Sequence, residues 1–81
     1  MSYLVIDPLD NSVFLNENKK AFTIEKFDAE HITNFLTELY KETAISITSL
    51  SLNAEILEFS ATLKFEDEDG FFDENYKVVP V

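Results

Sequence analysis

The chain has 81 residues, 46% of them hydrophobic and none of them cysteine, and its 16 acidic against six basic side chains give a formal net charge of −10. One domain near the lower size limit for a single hydrophobic core follows, while general disorder, a disulfide framework and a thiolate zinc site are excluded. All six cations are lysine, so bidentate arginine contacts to phosphate are absent, and contact with nucleic acid or an anionic membrane would bring like charges together.

The opening segment has no basic region, and its apolar run Tyr3-Leu4-Val5-Ile6 is too short for a signal peptide or a membrane span. A cytoplasmic location is the expectation. Tyr3 to Ile6 reads as a short strand, and Asp7-Pro8-Leu9-Asp10-Asn11 as a turn set by the fixed φ of proline and by Asx side-chain bonding. A second strand is expected at Val13 to Leu15. After the polar turn Asn16 to Lys20, Phe22 and Ile24 alternate with Thr23 and Glu25 as a third strand, completing an N-terminal hairpin or meander.

Asp28 has the chemistry of a helix N-cap, with Glu30 in the first turn and Lys41 in the last, where the macrodipole favours each charge. Ile32, Phe35, Leu36, Leu39 and Tyr40 then fall at i, i+3, i+4, i+7 and i+8, one apolar stripe of an amphipathic helix.

From Leu57 to Phe65 every odd position is apolar and every even one polar, the signature of a strand with one buried face. The preceding Ala44 to Leu52 changes phase: Ile45 and Ile47 are odd, Leu50 and Leu52 even. A hairpin closed at Asn53-Ala54 would put Ile45 and Ile47 on the wet face unless a β-bulge at Thr48 or Ser49 restores register. Tyr76 to Val79 forms the last strand, which Pro80 confines to an edge or terminates. The expected fold class is α+β: a two-layer sandwich of an antiparallel sheet of five to six strands, in the order βββ-α-βββ, with one amphipathic helix on one face.

Six of the ten residues from Glu66 to Asn75 are carboxylates with no cation among them. So dense a block repels itself. It fails as an EF-hand: with Gly70 at the sixth loop position, Phe65 and Tyr76 occupy the first and twelfth, where carboxylates are needed. A solvated, solubilising loop is one reading and a docking surface the other. The candidate partner-binding residues are Glu66, Asp67, Glu68, Asp69, Phe71, Phe72, Asp73 and Glu74. Aromatic side chains inside a charged segment are the makings of an interface anchor, and one of Phe71 and Phe72 is expected to be buried, the other exposed. Asp7, Asp10, Glu17, Glu55 and Glu58 extend the acidic field only if the fold gathers them on one side.

No catalytic residue, cofactor site or metal site is assigned. The lone His31 lies one step from the helix stripe as a surface or boundary histidine; no Gly-x-Ser-x-Gly motif accompanies it, and one glycine cannot build a phosphate loop. The expectation is a non-enzymatic binder that blocks a basic, nucleic-acid-handling protein by presenting carboxylates where phosphates would sit, as a monomer or homodimer. In size, charge and α+β pattern the chain resembles, as a class, phage-encoded inhibitors of host defence such as anti-CRISPR and anti-restriction proteins. An immunity protein or antitoxin against a cationic nuclease toxin would use the same electrostatics. A small structural or assembly subunit would instead work through a strand edge and Phe71 and Phe72.

Overall fold

The computed structural model describes residues 2–81. The chain forms a small α+β fold, a curled antiparallel five-stranded sheet with one helix. The elements are β1 (Tyr3–Ile6), β2 (Thr23–Ile24), α1 (Ala29–Leu39), β3 (Ile45–Asn53), β4 (Glu58–Phe65) and β5 (Phe72–Pro80), and the strands lie in the order β2-β1-β5-β4-β3.

The N-terminal third holds two short strands where three were expected. Val13 and Leu15 make only single bridges, to Ile6 and Ala21. The cause is local chemistry on either side. Asp7 Oδ1 accepts from Leu9 N–H at 2.9 Å, Asp10 Oδ1 from Ser12 N–H at 3.0 Å, and Asn16 Oδ1 from both Asn18 and Lys20 N–H. With Asn11 and Lys19 in the left-handed region at φ 59° and 62°, the chain turns back before a ladder can propagate. Phe14 nevertheless points into the core.

Asp28 is the N-cap of α1: its extended backbone (φ −143°, ψ 169°) places Oδ1 2.9 Å from His31 N–H. Ile32, Phe35 and Leu36 are buried, with Leu39 and Tyr40 packed partly against the core. Lys41, expected in the last turn, lies beyond the C-cap Tyr40 and reaches instead to Glu17, Nζ to Oε2 2.7 Å.

Phe35 is the hub that joins helix to sheet. Its ring meets Phe14, Phe22, Phe59 and Tyr76 edge-on, with centroids 5.3 to 6.5 Å apart, the arrangement that the ring quadrupole favours. Tyr76 stacks on Phe59 at 4.9 Å and shares a 3.2 Å hydrogen bond with the Tyr40 hydroxyl. Burial holds the Tyr76 phenol well above the ordinary tyrosine range, so it stays protonated at every working pH.

The phase change in β3 is resolved as expected. Ile45 and Ile47 lie opposite Phe65 and Leu63, the register shifts between Ile47 and Ser49, and Leu50 and Leu52 then lie opposite Ala61 and Phe59. The extra residue, Thr48, turns its hydroxyl onto the Thr62 carbonyl at 3.2 Å. All four apolar side chains of β3 thereby share the helix-side face with Phe59, Ala61 and Leu63. Two other boundaries move. Leu57, expected as the first inward residue of β4, sits in the hairpin turn at φ 52°, its carbonyl accepting from Val78 N–H at 2.9 Å. The last strand begins at Phe72, not Tyr76, because Phe72 to Asn75 pair with Leu63 to Ser60. With β1 on one side of β5 and β4 on the other, Pro80 marks the end of an interior strand.

Deleting Thr48 returns Ile45 and Ile47 to the wet face, and the expected loss of stability in urea unfolding is on the order of 2–4 kcal/mol, the range for losing large buried aliphatics. Thr48→Val, which keeps the extra residue, should stay close to the native midpoint. An unchanged midpoint for the deletion would remove the bulge from the account.

Candidate functional site

The β4–β5 hairpin carries the acidic run to one extremity of the sheet. Phe65 ends β4, and Glu66 N–H bonds to the Ala44 carbonyl at 3.0 Å, tying the base of the loop to the start of β3. A turn follows, with Glu68 N–H on the Phe65 carbonyl at 3.2 Å, and Gly70 at φ +90° lets the chain re-enter β5. Lys64 braces the turn, its Nζ 3.1 Å from the Glu68 carbonyl oxygen. The lysine thus bonds to backbone and leaves the four consecutive carboxylates of Glu66, Asp67, Glu68 and Asp69, all exposed, facing solvent.

The rest of the run divides. Asp73 and Glu74 are successive strand residues and point to opposite faces. Asp73 lies opposite Thr62 on the face away from the helix, where its Oδ1 accepts from the Thr62 hydroxyl at 2.8 Å. Glu74 lies opposite Ala61 on the helix side and is half-buried. The eight sequence candidates therefore form a four-carboxylate tip, two flanking acids on different faces, and two aromatic rings.

Neither ring is buried, against the expectation of one in and one out. Phe71 is 63% and Phe72 38% exposed. Phe72 has the inward-facing register and packs edge-on against Phe65 at 5.4 Å, and Phe65 in turn meets Tyr40 at 5.3 Å. But α1 ends at Leu39, so the helix does not reach over the end of β5. The aromatic row Tyr40, Phe65, Phe72 runs from core to surface and emerges beside the carboxylates. Phe65 and Lys64 were not among the sequence candidates; the inward strand phase of one and the lone cation before the run were the available signals.

The other acids do not join this field. Asp7 and Asp10 turn inward on their own turn, and Glu17 is paired with Lys41. Glu58 faces the other end of β4, seven residues or about 23 Å from Phe65 along an extended strand, and Glu55 lies in the turn beyond it. Asp10, Glu17 and Asp28 all have carboxyls held below their usual range, by hydrogen bonds from Ser12, Lys41 and the His31 backbone respectively. His31 Nδ1 stands 2.7 Å from Asp28 Oδ1, which makes the histidine part of the helix cap.

Other features are shallow. A groove of about 350 Å3 between the Asp7–Asn11 turn and the β3–β4 hairpin is lined by Pro8, Ser51, Asn53, Ile56, Glu58 and Lys77, among others. Among the described residues, no group of three or more His, Cys, Asp or Glu side chains could hold a metal ion. No described helix is long and apolar enough to cross a membrane. No protein-family model, curated protein or solved structure gives a match to this chain.

A carboxyl with a depressed native pKa stabilises the fold above its unfolded value, about 4, and that contribution is lost as pH falls through the native value. The triple variant Asp10→Asn, Glu17→Gln, Asp28→Asn keeps a capping side chain at position 28 but cannot titrate at these sites. Its melting temperature is expected to lie below that of the wild type at pH 7 and to converge with it as pH falls from about 4 through the native values and the three carboxyls take up protons. Thermal melts across that interval test this, and parallel pH profiles for the two proteins would refute it.

Proposed function

We propose that this two-layer α+β domain is a cytoplasmic binding protein, not an enzyme, and that it engages a basic nucleic-acid-handling protein through the β4–β5 hairpin tip, excluding nucleic acid from the partner's basic groove. One observation carries the reading: four consecutive exposed carboxylates stand beside Phe71 and Phe72, two aromatic side chains left open to solvent. A loop that only solubilises needs no exposed rings. Charges that steer encounter and rings that dock once water is expelled are the two components of a tight, electrostatically selected interface.

The fold refines the mimicry. The run is a tight turn, not an extended stripe, so it replaces a short stretch of phosphates at one point of a groove and not a long duplex track. An inhibitor of the anti-CRISPR or anti-restriction kind and an immunity protein against a cationic nuclease share this chemistry. They differ in the partner.

The test uses two variants of equal net charge. One carries Glu66→Gln, Asp67→Asn, Glu68→Gln and Asp69→Asn; the other carries Glu25→Gln, Glu30→Gln, Glu38→Gln and Glu55→Gln, exposed acids outside the hairpin tip. Proteins captured from lysate at low salt and released at high salt are identified, and their affinities are measured with both variants and with competing duplex DNA or RNA. The tip variant is expected to lose about tenfold or more in affinity, to melt no lower than wild type because like-charge repulsion is relieved, and nucleic acid should displace the wild type. Equal losses for the two variants would reduce the tip to bulk charge, and a salt-insensitive partner would favour the assembly-subunit reading.

A further inference from the structure

Among the described residues β3 is a free edge, hydrogen-bonded to β4 alone, and at nine residues it is far longer than the opposite edge, the two-residue β2. Natural edges of this length are guarded by lysine, proline, inward charge or a β-bulge. This one has the bulge alone: Ile-Ser-Ile-Thr-Ser-Leu-Ser-Leu-Asn carries no charged side chain, no proline and no glycine. Its four apolar residues are only half-buried, whereas Phe59, Ala61 and Leu63 next to them on β4 are buried.

We propose that β3 pairs with β3 of a second copy of the chain, antiparallel, about a two-fold axis passing through the Thr48/Ser49 bulge. The bulge is what makes the edge self-complementary. It puts Ile45, Ile47, Leu50 and Leu52 on the helix side, and Ser46, Ser49 and Ser51, opposite Lys64, Thr62 and Ser60, on the other. Read outward in both directions from the bulge, the sequence of faces is the same: apolar, serine, apolar. A two-fold axis there sets Ile47 against Leu50 of the partner subunit, Ser46 against Ser51 of the partner subunit, and Ile45 against Leu52 of the partner subunit, each pair occurring twice. A regular strand cannot do this, because antiparallel pairing about a two-fold axis matches residues of like parity, and Ile45 or Ile47 would then meet serine or asparagine.

Charge selects the same occupant. Two copies each carrying −10 repel at most surfaces, and the uncharged edge is where they approach with least opposition, so added salt tightens this contact. A basic peptide, by contrast, would find no carboxylate on β3 to pair with. The joined sheet has ten strands with both helices on one side, and the half-exposed Ile and Leu side chains of the two edges cover one another between them.

The opposing reading is that the bulge serves only to blunt the edge, which predicts a monomer. Sedimentation equilibrium of the wild-type chain across concentration, at low and high salt, separates the two. A dimer strengthened by salt is expected, and a monomer throughout overturns the proposal. The interface is then assigned with exposed positions. Ser46→Glu with Ser51→Glu places like charges opposite one another at two sites and should weaken the dimer about tenfold; Ser46→Glu with Ser51→Lys places opposite charges there and should restore it. Asn18→Asp with Thr23→Glu, at the far edge, adds the same charge as the first pair and should leave the dimer near wild type. Circular dichroism confirms that each variant is folded. If the Glu/Glu variant dimerises as tightly as wild type, or the far-edge variant is equally weakened, β3 is not the interface. The tip-neutralised variant should dimerise at least as well as wild type, which makes this outcome independent of partner binding.

Discussion

One short helix has to cover a much larger sheet, and the surfaces of the molecule follow from that mismatch. Eleven residues of α-helix span about 16 Å, whereas a nine-residue strand runs about 30 Å. The helix is held over the middle by Phe35, whose ring is boxed by Phe14, Phe22, Phe59 and Tyr76. The curled sheet brings both edge strands, β2 and β3, against the helix, but a helix of this length cannot follow the whole of a nine-residue strand. At one end the aromatic row continues past Leu39 through Phe65 to Phe72, and along one edge Ile45, Ile47, Leu50 and Leu52 stay half-exposed. Both candidate interaction surfaces are therefore parts of the hydrophobic face that the helix covers incompletely.

The acidic run illustrates how far a linear motif differs from a surface. Six carboxylates in ten residues read as one block, yet β-geometry sends Asp73 and Glu74 to opposite faces and the hairpin turn concentrates only Glu66 to Asp69. Of the other acids that could have extended the field, Asp7 and Asp10 are engaged in Asx bonds, Glu17 is paired with Lys41, and Glu55 and Glu58 sit at the far end of β4. What survives is a compact anionic point with an apolar flank, held at a defined position because the loop's backbone is bonded to Ala44, Phe65 and Lys64. Preorganised charge of this kind loses little entropy on binding.

The elements that were legible in the sequence are those in which one period dominates. The helix stripe and the odd-numbered apolar residues of β4 needed no tertiary information, and even the bulge was visible, since a phase change in an apolar pattern has few other remedies. Misplaced boundaries came where local chemistry competes with period. The Asx turns around Asp7, Asp10 and Asn16 break up what looked like a three-stranded meander, and Leu57 takes a left-handed backbone that no β pattern announces. The first half of β5 was hidden for a different reason: Phe72-Asp73-Glu74-Asn75 has the composition of a loop and becomes a strand because Leu63 to Ser60 offer it a ladder. The exposure of Phe72 was unreadable because it depends on where the helix stops, two elements away.

The two proposed surfaces are compatible, and the geometry of antiparallel pairing explains why. Ile45 begins β3 beside Phe65 and the acidic tip, while Asn53 ends it beside Glu58. A two-fold axis at Thr48/Ser49 would send the tips of two copies toward opposite ends of the joined sheet, each at least 12 Å from the axis by strand rise alone. The tips are then about 24 Å or more apart, beyond two Debye lengths at physiological salt, about 16 Å, so the two anionic points would scarcely repel one another. A dimer built on the neutral edge would thus remove the least favourable approach between strongly acidic molecules and leave both tips free. Salt would act on the two proposed contacts with opposite sign, strengthening the pairing of like-charged copies and weakening the attraction of each tip for a cationic groove. Ionic strength would then set the balance between an assembled, partner-free protein and a bound one, and that opposition follows from a single property, the −10 charge, acting on an uncharged edge and a charged point in the same fold.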